Sequence, residues 1–307
     1  MQFLYFLESL RNPVLDFLFS IITLCGEETV FMAVGMVVFW CVEKYQGYYL
    51  LCTGFIGTVI NQFLKMLFRI PRPWVLDPNF TIVESAREAA TGYSFPSGHT
   101  QNAVGTFGGV ARSAKEKGIR IASIVVLLLV SFSRMYLGVH TPMDVGVSFV
   151  IATVLLLVMY PFFEQMERKP NSMYVLLGIM TAMGVAYLLF VSFYSFPSDV
   201  DPANLSSGTK NAYTLLGATL GVFAAFYVDQ KYTHFETEAP LLGQLLKLVI
   251  GLALTMAIKA GTKPVLNVLF NGHQSADFVR YFLMVIFAGV LWPMTFKWFA
   301  KISQKKG

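Results

Sequence analysis

Long apolar runs, one after another, constrain this chain more than any other feature. Nine stand out: 25–42, 47–66, 97–113, 120–133, 142–163, 172–194, 211–228, 241–260 and 280–299. In hydrocarbon every backbone N–H and C=O needs a partner inside the protein, so runs of this kind are expected as helices. Some are shorter than the ~20 residues of a full span, which leaves their ends loosely defined. A further apolar piece, 13–25, is too short to cross alone. It reads as an interfacial or re-entrant helix, or as the first part of a longer first span. Composition agrees. Of 307 residues only 13% are charged and 55% are hydrophobic, whereas about a quarter of a soluble domain is charged. The expected fold class is all-α: a polytopic membrane helical bundle of about nine transmembrane helices.

The net charge of +5 does not indicate nucleic acid as a partner, because Lys and Arg sit in short clusters between apolar runs. Membrane topology places them that way. Arg112, Lys115, Lys117 and Arg120 share one connector, Arg168 and Lys169 follow the fifth run, and Lys297, Lys301, Lys305 and Lys306 end the sequence. With nine spans these clusters fall on one side, the cytoplasmic one by the positive-inside rule. The stretches 69–94, 134–141, 195–210 and 261–279 then face outward, with the N-terminus outside. An extra span from 13–25 moves the N-terminus inside and leaves the later loops where they are. Cys25, Cys41 and Cys52 form no CxxC pair and read as packing residues. Residues 1–12 carry acidic Glu8 and no basic leader region, so no cleavable signal peptide is expected. The polar stretch 164–172, with Pro170, is the best internal boundary. It separates a core, 1–163, from an extension of four helices, 172–307.

Polar clusters interrupt the apolar pattern on the expected outer side. Lys65 and Arg72-Pro73 leave the second run, Pro96-Ser97-Gly98-His99 opens the third, and Ser133-Arg134 with His140 and Asp144 bridges the fourth and fifth. Lys65, Arg72 and Arg134 supply cations suited to a doubly charged anion, with Arg offering a planar fork to phosphate oxygens. Ser97 and Gly98 stand at a helix start, where free N–H groups favour an anion and glycine admits close approach. Asp144 follows His140 by four residues, with Pro142 suited to a first helical turn, so the carboxylate reaches the imidazole from one turn on. An Asp–His hydrogen bond fixes the tautomer and leaves the other nitrogen free to attack phosphorus. His99 remains as the proton donor to a leaving-group oxygen. Two histidines in opposite protonation states predict a bell-shaped pH profile.

The pattern K-x6-RP, PSGH and SR-x5-H-x3-D resembles the type 2 phosphatidic acid phosphatase (PAP2) superfamily, whose members include lipid phosphatases, glucose-6-phosphatases and vanadium haloperoxidases. The motifs are complete here and in the family's order. By motif position, the resemblance implies that His140 forms a phosphohistidine, Asp144 orients it and His99 protonates the leaving group. Lys65, Arg72, Ser97, Gly98 and Arg134 hold the phosphate. It also implies catalysis without a metal or other cofactor. The expected substrate is a phosphorylated lipid, of phosphatidate, phosphatidylglycerophosphate or polyprenyl diphosphate type, in the cell membrane with the active site on the extracytoplasmic side. A sugar phosphate is the alternative, and a non-enzymatic anion transporter a more distant one.

Each of these residues also has a plainer reading. Lys65 alone is a snorkelling lysine, and Arg72 or Arg134 alone is an interfacial anchor. Glu27 and Glu28 read as acids at a helix start, with a contact to an active-site cation as the sharper reading. Asn61 reads as a cross-helix hydrogen-bonding residue, and Trp74 as an interface aromatic or a wall of the substrate entrance. His234 reads as solvated, and His273 as a loop residue within reach of substrate. It is the joint occurrence at corresponding helix ends that favours chemistry over structure.

Overall fold

The structure, a computed structural model, describes residues 1–165, 169–198 and 200–302. Arg168, Lys305 and Lys306 lie outside the described residues. Within the described residues every regular element is helical. In chain order these are α1 (Gln2–Ser9), α2 (Pro13–Leu24), α3 (Glu28–Val37, continued by a π turn Val38–Val42), α4 (Lys44–Phe68) and α5 (Pro73–Leu76). Then come α6 (Gly98–Ala103), a π turn Val104–Gly108 that joins it to α7 (Gly109–Ser113), α8 (Lys117–Tyr136) and α9 (Pro142–Glu164). The rest are α10 (Pro170–Phe193), α11 (Pro202–Val228), α12 (Leu241–Leu269), α13 (Ser275–Ile286) and α14 (Phe296–Ala300).

Seven stretches are long and apolar enough to cross a membrane: Lys44–Leu76, Lys117–Tyr136, Pro142–Glu164, Asn171–Phe193, Pro202–Thr233, Leu241–Leu269 and Ser275–Ala300. α2 and α3 make an eighth when taken together, bent by 50°. The piece 13–25 is therefore the first limb of a broken first segment. The bend falls at Gly26, whose missing side chain lets the backbone reach α6. A Cβ there would lie 3.0 Å from both Cβ and O of His99, and Asn102 Nδ2 donates to Gly26 O at 3.2 Å. The third apolar run, 97–113, is helical but shorter than the ~20 residues of a straight span.

The chain forms two compact units. The first comprises Met1–Val34, Tyr49–Phe162 and Phe196–Ser207. In it, the long connector between α4 and α6 is a packed structure. Phe80 and Ile82 bury against Leu4, while Ala86 and Ala90 bury against Tyr136, Leu137 and Val139 at the end of α8. Arg11 ties the same parts together, donating to Tyr136 O at 3.1 Å and Thr81 O at 2.8 Å. The connector ends on Ser94, whose N–H donates to Ile70 O at 2.8 Å. Two strands of chain are thereby held side by side at the mouth of the helices.

The second unit comprises Gly35–Tyr48, Phe163–Ser195 and Gly208–Gly307. Its buried charges meet a countercharge, a carbonyl or an aromatic face, since low-dielectric surroundings penalise a charge without a partner. Lys44 meets Asp229 at 2.9 Å, and Asp229 also accepts from Thr233 Oγ1 and Phe235 N. Lys247 is fully buried, donates to Thr237 O at 2.8 Å and lies 4.5 Å from the centre of the Phe296 ring. The Trp292 indole N–H donates to Lys247 O at 3.1 Å, and that of Trp40 to Ala288 O at 2.9 Å.

Candidate active site

The site is built on the turn between α8 and α9. Gly138 adopts φ 80°, the left-handed region that glycine enters without strain, and the chain reverses so that Val139 N and His140 N both donate to Arg134 O at 3.2 Å. The next helix starts with a reciprocal cap. Thr141 N donates to Asp144 Oδ2 at 2.7 Å, and Asp144 N donates to Thr141 Oγ1 at 3.2 Å. This is a capping box with Asp in the acidic position. The Asp144 carboxylate is thus fixed by the helix start before it meets the imidazole.

Asp144 Oδ2 lies 3.4 Å from His140 Nδ1. Ser94 Oγ bridges the pair, donating to Asp144 Oδ2 at 2.6 Å and standing 3.4 Å from Nδ1. On the other edge of the ring, Arg72 Nη1 is 2.9 Å from His140 Nε2. A guanidinium has only donors, so Nε2 must carry the lone pair and Nδ1 the proton. That is the tautomer a nucleophilic Nε2 needs. Arg72 is itself held by three carbonyls, Gly92 at 3.1 Å, Val139 at 3.0 Å and Thr91 at 2.6 Å. Burial, followed by the charges of Arg72, Arg134 and Lys65, pushes the His140 imidazole well below its ordinary value, which keeps it neutral.

The other cations surround the same point. Lys65, at the end of α4, is buried and donates to Tyr93 O at 2.6 Å and Ser94 O at 3.4 Å. Arg134 is 0% exposed; Nη1 donates to Thr23 Oγ1 at 2.6 Å, while Nε and Nη2 are buried without a protein partner. Two guanidinium nitrogens left without acceptors inside a protein are costly unless an anion takes them. Ser97 caps α6 by accepting from Thr100 N at 3.3 Å, and its own N–H donates to Asp144 O at 3.1 Å. His99 Nε2, on the first turn, is also buried without a partner. Gly98 leaves that turn open, since a Cβ would have Asn61 Oδ1 as its nearest neighbour at 3.9 Å.

All of the residues singled out by the motifs, Lys65, Arg72, Ser97, Gly98, His99, Arg134, His140 and Asp144, belong to the first unit. Beside Arg72 a cavity of about 470 Å³ opens, lined by Arg69, Trp74, Tyr93, Asp201 and Asn204 among others. Trp74 is therefore a wall of this cavity, and the Arg72 and Arg87 guanidinium carbons lie 6.0 and 5.5 Å from its ring centre. Glu27 lies within electrostatic reach of Arg134. Asn61 Nδ2 donates to Pro96 O, in the loop before α6, at 3.5 Å. His234 closes a helix end in the left-handed region at φ 41°, and His273 is exposed, 2.8 Å from Ser275 Oγ. No group of three or more His, Cys, Asp or Glu able to hold a metal occurs among the described residues.

Sequence reasoning missed Ser94, Thr141 and Thr23. Thr141 was signalled by the T-x-x-D spacing of a capping box. Ser94 and Thr23 carry no local signal, because their partners are set by tertiary structure.

Two family profiles match the chain: the PAP2 superfamily over residues 45–168, and the PAP2 superfamily phosphatase transmembrane extension over 213–305. Undecaprenyl-diphosphatase BcrC of Bacillus subtilis (strain 168) is 31% identical over 149 residues, covering 47% of this chain and 73% of that protein. A probable sphingosine-1-phosphate phosphatase of Dictyostelium discoideum is 28% identical over 257 residues, 79% of this chain. The chain spans only 60% of that relative's length. Phosphatidylglycerophosphatase B of Bacillus subtilis is 27% identical over 172 residues. No solved structure gives a significant match.

Proposed function

The chain belongs to the PAP2 superfamily, and from that premise we propose that it is an integral membrane phosphatase that hydrolyses lipid phosphates or diphosphates through a phosphohistidine at His140. The approach of Arg72 Nη1 to His140 Nε2 at 2.9 Å supports this reading most directly. It puts a phosphate-binding cation and a lone pair on one spot. Substrate phosphate oxygens replace Nε2 as acceptors for Arg72, which releases the lone pair for attack.

The Nε2–P bond then forms as the P–O bond to the lipid breaks. His99 gives its proton to the departing oxygen. Asp144 and Ser94 hold Nδ1–H in place and stabilise the positive charge that the ring acquires. Lys65, Arg72, Arg134 and the Ser97–Gly98 backbone neutralise the equatorial oxygens, which is where charge sits in phosphoryl transfer. Water later attacks phosphorus, the P–Nε2 bond breaks and phosphate leaves. None of these roles calls for a metal ion.

A lipid substrate is favoured by the setting. The phosphate-binding groups stand at the ends of membrane-length helices, and the cavity beside Arg72 offers room for a leaving group. The three relatives compared bear the names of lipid phosphatases or diphosphatases. The basic connector with Arg112, Lys115, Lys117 and Arg120 lies at the opposite ends of the α6–α7 helix and α8 from His99 and Arg134. By the positive-inside rule this supports an active site on the extracytoplasmic side, and the cell membrane is the proposed location.

The test is phosphate release by purified protein in detergent, with EDTA present. The panel contains phosphatidate, sphingosine 1-phosphate, a polyprenyl diphosphate and glucose 6-phosphate. At least one lipid should be hydrolysed, and His140→Ala should abolish it. Activity that survives His140→Ala, or is lost in EDTA, sinks the mechanism. Release from glucose 6-phosphate alone sinks the substrate class.

A further inference from the structure

Polar groups continue past the phosphate pocket into the bundle. On α4, Thr53, Gly57, Asn61 and Lys65 recur every four residues and share one face. On α9, Ser148 follows Asp144 by one turn. The helix formed by α6, the π turn and α7 runs antiparallel to α4, and the two are matched layer by layer. Gly98 faces Asn61, a Cβ on Gly57 would collide with the Gln101 amide, and a Cβ on Gly109 would collide with Leu50 and lie 3.6 Å from Tyr49. Gly105 falls between the last two layers, at the depth of Thr53. It is buried, yet a Cβ built on it would meet nothing within 4 Å. Below, the space is floored by Leu50, Tyr49 and Leu156. A Cβ on Gly108 would touch Leu156, and the Tyr49 hydroxyl donates to Leu156 O at 3.0 Å.

The helices that wall this space carry Thr53 Oγ1, Asn61 Oδ1, Gln101 Oε1, Thr106 Oγ1 and Ser148 Oγ, all buried and without a protein partner. Three other hydroxyls of the first unit are satisfied within their own helices. Thr58 donates to Gly54 O at 2.9 Å, Ser113 to Gly109 O at 3.0 Å and Ser131 to Leu127 O at 2.7 Å. An unpaired buried polar atom is costly, and the surrounding hydrocarbon offers it no solvent. Apolar cavities stay dry, whereas polar ones with several partners hold water.

We propose that this space is a second, water-binding site: an inner chamber between α4, the α6–α7 helix and α9 that keeps water against the back of the phosphate pocket. It supplies the molecule that hydrolyses the phosphoenzyme when a lipid occupies the outer mouth; this part rests on the phosphohistidine reading above. Water passes Asn61 to the side of His99. Its oxygen bonds to phosphorus as the P–Nε2 bond of His140 breaks, and its proton goes to the His99 imidazole, left neutral by the first step.

Gly105→Val fills the chamber, and Thr53→Val removes one of its hydroxyls at constant shape; neither residue touches the phosphate. Both variants should release the first leaving alcohol at the wild-type rate. Both should slow steady turnover at least about fivefold, with phosphate accumulating on His140 and vanadate inhibition unchanged. Steady turnover at the wild-type rate in both overturns the proposal. Should Gly105→Val not fold, Thr53→Val decides alone. A high-resolution density map of the wild-type protein should show ordered water between Thr53, Gln101 and Thr106, and a dry chamber overturns the proposal as well. If the wild type acquires no phosphate on His140 at all, it is the phosphohistidine reading that fails, and the map still decides the chamber.

Discussion

Ser94 donates its hydroxyl hydrogen to Asp144 Oδ2 at 2.6 Å, a shorter approach than the 3.4 Å between Asp144 Oδ2 and the His140 nitrogen it orients. The carboxylate is therefore held by three groups at once: a serine from the α4–α6 connector, the Thr141 N–H of its own helix start, and His140 Nδ1. Ser94 acts through Asp144, so it is a positioning residue. Ser94→Ala should lower kcat about tenfold, the worth of one hydrogen bond to a charged group, with KM little changed. Losing that bond also leaves Asp144 more available to the imidazolium, so the acid limb of the pH profile should move upward. A kcat at the wild-type level with an unmoved acid limb would show that the bridge is only structural.

Asp144 serves the helix and the imidazole together, and two substitutions separate the roles. Asp144→Asn keeps an oxygen for Thr141 N–H, so the start of α9 survives, but it permits the wrong imidazole tautomer. Turnover should fall on the order of a thousandfold or more, with thermal stability nearly unchanged. Asp144→Ala should show the same loss of turnover and, in addition, about 1 kcal/mol of destabilisation from the missing cap. Rates on a short-chain lipid phosphate and thermal unfolding in the same detergent check both.

How much of this was legible in the sequence follows from which interactions are local. The membrane helices were readable because lipid demands long apolar runs, and their ends because Ser97, Pro142 and the charges beside them punctuate those runs. The motif residues were readable because their spacing is fixed by helix ends. The bent first segment was only half readable. Its break depends on Gly26 approaching His99, which no periodicity reveals. Thr23 meets Arg134 across 111 residues because of that same bend. Ser94 stands beside a motif, but its role depends on the connector packing against Leu137 and Val139, and irregular chain carries no repeating pattern. The run 97–113 reads as a span by composition, yet its helix begins only at the Ser97 cap and is shorter than a straight span.

Arg134 keeps Nε and Nη2 free of protein partners, as the proposed phosphate seat requires, while Thr23 holds Nη1. A lysine supplies a similar charge at that place but not two parallel donors. Arg134→Lys should therefore weaken inhibition by vanadate or inorganic phosphate about a hundredfold, the loss of a bidentate charged contact in a buried site. Thr23→Val should weaken it less, since the fork loses its anchor but not its donors. Equal inhibition of Arg134→Lys and the wild type would remove Arg134 from the phosphate seat.

The pH dependence has a sign that follows from His140. Burial first, then the charges of Arg72, Arg134, Lys65 and His99, lower its pKa well below the ordinary value, which is about 6.5. With neutral imidazole as the proposed attacking form, the acid limb of the bell-shaped kcat/KM profile should lie below pH 6.5, while the basic limb belongs to the proton donor His99. The native state also binds fewer protons here than the unfolded chain does. The stability contributed by neutral His140 is thus complete above about pH 6.5 and is lost as pH falls from there toward the lowered pKa. Arg72→Gln removes the largest of the charge contributions while leaving burial intact, and it should shift the acid limb toward higher pH. Profiles of kcat/KM from pH 4 to 8 for the two proteins, at constant detergent and ionic strength, measure the shift; a wild-type acid limb centred above pH 6.5 would contradict a neutral resting nucleophile.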